Sequence, residues 1–159
     1  MKHLLILCLA LVLATPVSAD TATTARAHSE AFARAMNASD VDAALALYAE
    51  DARVIWPGVD DEARGKIAIR RLIQSTLRSF PKSSRLALRS QDAIALAEGY
   101  IVTVSHWEQS YTRDDGARAT SLFRATEVIR SNGREVLYVV DHASAGLPAL
   151  GTSGTTTAR

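Results

Sequence analysis

The alternation of apolar and polar positions divides the chain into a helical first half and a strand-rich second half. In "TARAHSEAFARAMNASD", Thr24 to Asp40, the residues Ala27, Phe32, Ala35 and Met36 recur at helical spacing. "SDVDAALALYAED" predicts a second helix, capped by Ser39 or Asp40, with Val41, Leu45 and Tyr48 turned inward. "ARVIWPG", Ala52 to Gly58, reads as a short strand that stops where Pro57 has no N–H to give to a ladder. "GKIAIRRLIQSTLRSF" sets Ile67, Ile69, Leu72, Ile73 and Leu77 against Arg70, Arg71 and Arg78 on a third helix, which Pro81 ends. Four period-two runs follow, "SRLALRSQDAIALA", "GYIVTVSHWEQSYTR", "ARATSLFRATEVIRS" and "REVLYVVDHAS". "DDG" at Asp114 to Gly116 and "NG" at Asn132-Gly133 supply hairpin turns, because Gly and Asn accept a positive φ. Helices first and an antiparallel meander after is an α+β pattern, with three N-terminal helices packed on one face of the sheet.

The two ends fall outside that pattern. "MKHLLILCLALVLATPVSAD" carries Lys2, an apolar run from Leu4 to Ala14, the helix breaker Pro16, and small residues at Val17 and Ala19. This is the layout of a cleavable signal peptide over residues 1–19, and the run is too short for a permanent membrane anchor. The expected product is an exported protein, periplasmic or secreted, with its domain over residues 20–145. The glycine- and threonine-rich stretch 146–159 is expected to be a disordered tail.

Cleavage changes the chemistry on offer. Cys8, the only cysteine, leaves with the leader, so no disulfide, thiol nucleophile or thiolate ligand is expected in the mature chain. Lys2 leaves too, taking the 18 basic residues down by one to match the 17 acidic ones. A neutral chain without a basic cluster argues against nucleic acid or an anionic membrane as partner. No phosphate loop, dinucleotide fingerprint, zinc motif or nucleophile elbow is present, and no cofactor is expected.

A two-residue turn at Asn132-Gly133 sets Arg124 opposite Asp141 and Arg130 opposite Glu135, two structural ion pairs. The other face then carries Ser121, Phe123, Glu127, Tyr138, Val140, His142 and Ser144. If the earlier hairpin turns tightly at Asp115-Gly116, His106 and Glu108 join it; a bulge there would send both away. That mixture of apolar wall and a few polar groups suits a small-molecule pocket. His106 and His142 are candidate acid–base catalysts, with Glu108 orienting them or sharing the proton. A metal site on His106, Glu108 and His142 is the less favoured alternative, and no metal is expected.

The phrases "AFARAMNASDVDAALALYAEDARVIWPG", "GKIAIRRLI" and "LFRATEVIRSNGREVLYVVDHAS", in this order, resemble the nuclear transport factor 2-like superfamily, which includes SnoaL-like cyclases and ketosteroid isomerases. The resemblance covers Thr24 to Ser144. It implies a strongly bent antiparallel sheet and helices forming a cone around a deep apolar pocket, and it implies a homodimer through the outer sheet face. The subgroup that it resembles most shares the pattern seen here as Arg124 to Thr126, a turn glycine at Gly133 and a closing His142-x-Ser144; this chain departs from it in having Val136 where tryptophan is frequent.

Ketosteroid isomerases carry their general base just before the proline after the first strand, a place held here by Trp56. By the same resemblance, their oxyanion-hole tyrosine and protonated acid correspond to Phe32 and Ser121. None of the three replacements can perform the original role, so that isomerisation is not expected. Trp56, Phe32, Phe123, Ser121, Tyr138, Val140 and Ser144 are instead expected to line a pocket for a small apolar or aromatic molecule. An enzyme of SnoaL-like type, a cyclase, isomerase or hydrolase using His106 or His142, is the alternative, and an assembly domain is a third reading.

Overall fold

The computed structural model describes residues 19–58, 61–97 and 99–145. The expected leader, Ala19 apart, and the expected tail lie outside the described residues.

Helix α1, Ala19–Asn37, buries Ala25, His28, Ser29, Phe32, Ala35 and Met36. Ala27 is exposed, contrary to expectation. At about 100° per residue it sits some 140° around the helix from Phe32, whereas Ala25, seven residues back, falls almost in line with it. Helix α2 spans only Val41–Ala46; Asp40 caps it, its Oδ1 accepting the Ala43 N–H at 2.9 Å. The expected helix ran on to Asp51, but Tyr48 already opens β1, Tyr48–Ile55. The Leu47 carbonyl takes the Tyr138 N–H at 2.8 Å, so sheet pairing ends a helix that local propensity would have prolonged.

An unexpected two-residue strand β2, Ala63–Arg64, pairs with β1 and leads into α3, Gly65–Ser79. There Ile69, Leu72 and Ile73 are buried, while Ile67, two residues from Ile69 and so on the opposite side, is 75% exposed. The remaining strands are β3, Arg85–Ala97; β4, Tyr100–Thr112; β5, Arg118–Ser131; and β6, Val136–Ala145.

All six strands form one sheet in the order β2-β1-β6-β5-β4-β3. It is mixed rather than wholly antiparallel, because β1 runs parallel to β6. Helix α1 packs on β3 and α3 on β1, which leaves one inner and one outer sheet face. The fold is α+β.

One turn and one bulge decide which side chains face the helices. Between β4 and β5 the chain turns through Asp114, Asp115 and Gly116, with the Arg113 N–H on the Ala117 carbonyl and the Ala117 N–H on Asp115 Oδ1, both at 2.9 Å. This three-residue loop pairs His106 with Arg124 and Glu108 with Leu122. Between β5 and β6 the turn takes four residues, Asn132 to Glu135, because Asn132 Oδ1 accepts the N–H groups of Arg134 and Glu135 at 3.0 and 2.8 Å. Ser131 therefore faces Val136 rather than Arg134, and Arg130 faces Leu137 rather than Glu135.

A bulge then adds one more step. Ile129 pairs with Tyr138 but Val128 pairs with Val140, so Val139 has no partner in the β5 ladder. Glu127 consequently faces Asp141, Arg124 faces Ser144, and Phe123 faces Ala145. The expected pairs Arg124–Asp141, Glu127–Tyr138 and Phe123–His142 do not form.

Gly99, at the tight β3–β4 turn, has φ +78°, and a Cβ there would lie 2.9 Å from the Ser131 carbonyl oxygen. That carbonyl belongs to backbone already tied to the turn, since the Ser131 N–H bonds the Gly99 carbonyl at 2.7 Å. Gly116 has a similar φ, +82°, with open space around it. Gly99→Ala is expected to cost about 2–3 kcal/mol of stability and Gly116→Ala about 1. Equal urea midpoints for the two variants would show that the close approach to Ser131 is not a constraint.

Candidate functional site

The inner sheet face and the helices enclose a cavity of about 120 Å³. Phe32 and Met36 reach it from α1, and Thr76 and Phe80 from the end of α3. Trp56 and Pro57 follow β1, while Leu86, Trp107, Phe123, Ala125, Glu127, Tyr138, Asp141 and Ala143 come from the sheet. Phe32 is the hub of the aromatic packing, meeting Tyr48, Trp56, Trp107 and Tyr138 edge-on with ring centroids 5.8 to 6.2 Å apart. Such contacts hold rings in fixed orientations. Pro57 is exposed and Phe80 and Phe123 are partly so, which places the mouth of the cavity there.

Two acids stand in this apolar wall. Glu127 and Asp141 are cross-strand partners on β5 and β6, and both are buried. Asp141 Oδ2 accepts the Tyr48 hydroxyl at 2.6 Å and the Trp56 indole N–H at 2.9 Å. Glu127 Oε2 accepts the Ser105 hydroxyl at 2.6 Å and a short bond from the Thr103 hydroxyl. Glu127 Oε1 and Asp141 Oδ1 receive none of these bonds.

Burial pushes the Glu127 carboxyl up to about 7, and the Asp141 charge pushes in the same direction; bonds from Ser105, Thr103 and Trp107 only partly oppose them. Asp141 is raised as well, chiefly by burial, against the bonds from Tyr48 and Trp56. Beneath the acids, Tyr138 shares a hydrogen bond with Ser29 at 3.1 Å, and Gln91 donates to Ser29 at 2.7 Å. His28 packs edge-on against Tyr138 at 4.3 Å and is buried, which lowers its pKa to about 4.

The structure divides the sequence-predicted residues between two faces. Trp56, Phe32, Phe123 and Tyr138 line the cavity. Ser121 pairs with Gln109 on the inner side of β5 but lies outside the cavity wall. His106, Glu108, Val140, His142 and Ser144 lie on the outer face, where His106, His142 and Ser144 border a shallow hollow with Arg124 and Thr126. Glu108 is held there by Arg89 at 2.6 Å, and His106 Nδ1 meets Ser90 Oγ at 3.2 Å. These placements correct the expected face: the three-residue loop turns His106 and Glu108 outward, and the Val139 bulge does the same for Val140, His142 and Ser144.

Among the described residues no group of His, Cys, Asp and Glu is arranged to hold a metal ion. Among them, too, no helix is long and apolar enough to cross a membrane. Asp141, which sequence reasoning placed in an ion pair with Arg124, and Glu127, which it left without a role, are the ionisable groups of the cavity wall. The available signal was an aspartate directly after two β-branched residues in "YVVDHAS", out of phase with Tyr138.

Glu127 gives the site a pH signature. Its folded-state pKa of about 7 lies above the ordinary 4.5, so its contribution to stability is complete below pH 4.5 and is lost as pH rises through 7. His28 acts oppositely, its contribution being present above pH 6.5 and lost as pH falls through about 4. Glu127→Gln removes the first effect. Between pH 4.5 and 8, the stability of the variant relative to the unaltered chain is expected to rise by on the order of 3 kcal/mol in urea unfolding. A difference independent of pH would mean that Glu127 titrates as it does in the unfolded chain.

The comparisons with known proteins agree with this architecture. A family model described as the SnoaL-like domain matches residues 29–138. Among solved structures, a ketosteroid isomerase-like protein from Erwinia carotovora atroseptica superposes with a TM-score of 0.66 at 18% identity, covering 83% of this chain and 100% of its own. An NTF2-like protein with a cystatin-like fold from Novosphingobium aromaticivorans gives 0.70 at 16% identity, covering 85% of each chain. ActVI-ORFA from Streptomyces coelicolor gives 0.67 at 14%, over 78% of this chain and 96% of its own. At these identities the structural likeness establishes the fold alone. Among curated protein sequences none matches this chain. With the family model spanning most of the domain and the fold in agreement, the chain belongs to the SnoaL-like domain family.

Proposed function

We propose that the chain binds a small, predominantly apolar molecule, about one ring in size, whose single polar atom lies against Glu127 and Asp141. The observation that carries this reading is the cavity wall, aromatic and aliphatic except for two adjacent buried acids and one threonine. An apolar wall with few convergent polar groups is the usual make-up of a ligand site. The volume, about 120 Å³, is near the roughly 150 Å³ of an engineered core cavity that takes up benzene.

One observation supports a second reading at the same place. A carboxyl titrating near 7 and held by two hydroxyls is matched to proton transfer at neutral pH. In that reading Glu127 serves as the base in the role first expected of His106 or His142, which stand on the far side of the sheet.

Both tryptophans of the chain, Trp56 and Trp107, are in the wall, so binding is visible in their fluorescence. Phenol is expected to produce a saturable one-to-one change. Ala143→Leu, which fills part of the cavity, is expected to weaken it about tenfold. His106→Ala and His142→Ala should leave it within about twofold, as surface changes distant from the ligand. Insensitivity to Ala143→Leu, or loss in either histidine variant, would place the ligand elsewhere.

The proton-transfer reading is checked by exchange of the α-protons of cyclohexanone in deuterium oxide, followed by NMR. Glu127→Gln is expected to slow any exchange the chain catalyses by about a hundredfold or more. Exchange no faster than in buffer, or equally fast in the variant, would leave binding as the sole reading.

A further inference from the structure

We infer that the natural occupant of the cavity is an amine in its ammonium form, carried on an apolar body. The inference rests on the cavity reading above and specifies the charge of the ligand, which that reading leaves open.

It begins with the hydrogen bonds of the two acids. Tyr48 and Trp56 donate to Asp141, and Thr103, Ser105 and Trp107 support Glu127. All five are neutral donors, and all five oppose the upward push of burial. The two indoles can only donate, and donation from all five favours carboxyls acting as acceptors, that is, negative charge on the pair.

Negative charge on the pair would have no counter-ion among the residues that line the cavity. No Lys, Arg or His lines the wall. The histidine acting on Asp141 is its neighbour His142, on the opposite face of the sheet. Buried charges are ordinarily paired, and breaking a pair leaves an uncompensated charge at high cost. A cationic ligand would supply the missing partner, with its N–H groups directed to the Glu127 and Asp141 carboxylates.

The remaining wall suits the same ligand. Phe32, Trp56, Trp107, Phe123 and Tyr138 surround the acids at the cavity. Aromatic faces attract a cation through their quadrupoles, most strongly where water is excluded, and a ring of them beside carboxylates is a recurrent ammonium cage. A carbonyl ligand, by contrast, needs a donor, and the hydroxyl and indole donors here already point at the carboxylates.

The test compares nearly isosteric probes on the full chain by calorimetry and tryptophan fluorescence at pH 7.5. Benzylamine is expected to bind at one-to-one stoichiometry about tenfold or more tightly than benzyl alcohol or toluene. Acetophenone, which can only accept, is expected to bind no better than toluene. Glu127→Gln and Asp141→Asn are each expected to remove most of the preference for the amine over the alcohol; Glu108→Gln on the outer face should preserve it. Equal or tighter binding of benzyl alcohol or acetophenone overturns the ammonium assignment while the cavity reading stands. An amine preference that survives both acid substitutions overturns it too, by placing the ammonium elsewhere. If no probe binds, the cavity reading fails and this inference with it. The comparison of amine with alcohol needs no variant, so a failure of either substitution to fold does not spare the proposal.

Discussion

One unpaired residue in the last strand determines the chemistry of the whole interior. Val139 has no partner in the β5 ladder, so the side chains of β6 change sides after Tyr138. Tyr138, Asp141 and Ala143 then all face the helices, although strict alternation would group Tyr138 with Val140, His142 and Ser144. Without the bulge, Val140 would lie opposite Glu127 and His142 opposite Ala125, and the inner face would hold one acid and one histidine. With it, two acids become cross-strand neighbours in an apolar cavity.

Two buried acids side by side are costly, and the surrounding residues reflect that cost. Each carboxyl opposes ionisation of its neighbour, and burial opposes ionisation of both. Tyr48, Trp56, Thr103, Ser105 and Trp107 come from two strands and the segment after β1, and their polar hydrogens are committed to these two side chains. Thr103 and Ser105 are themselves fully buried, which a strand interior tolerates only when their hydroxyls are satisfied. A second polar chain, Gln91 to Ser29 to Tyr138, braces the floor. The polar groups thus form two networks, one around the acids and one beneath Tyr138.

The fold was legible in the sequence because it depends on long, repetitive signals. The stripe Ile69, Leu72 and Ile73 and four alternating strands need no exact register to be recognised, and the ordered phrases from Ala31 to Ser144 pointed to the family independently. The site was only half legible. Trp56, Phe32 and Phe123 reach the cavity from places where the chain entering or crossing the sheet leaves little choice of direction. The acids and histidines depend on parity, and parity depends on single residues. Asn132 accepts two backbone N–H groups and stretches a two-residue turn to four, Asp115 does the like for the preceding hairpin, and Val139 steps out of the ladder. The Asn132 turn moves the β5–β6 register by two positions and keeps the faces, whereas the Asp115 loop and the Val139 bulge each move it by one, and one position exchanges the faces. Nothing in the local composition near Val139 distinguishes it from Val140.

Trp56 shows how the parts fit together. By resemblance it holds the place where ketosteroid isomerases carry a general base, and its indole has no basic nitrogen to take up a proton. Its ring extends the apolar wall, while its N–H reaches across to Asp141 Oδ2 at 2.9 Å. The residue that removes an acid from the end of β1 therefore also steadies an acid on β6. Phe32 makes the matching change on α1, replacing a hydroxyl with a bare ring that contacts Trp56 and Trp107. The acids of this cavity lie on the cross-strand pair of the sheet, with Trp56 as both wall and hydrogen-bond donor. A polar group of a ligand seated in this cavity has to meet that pair, because the walls around it offer so little else to bond.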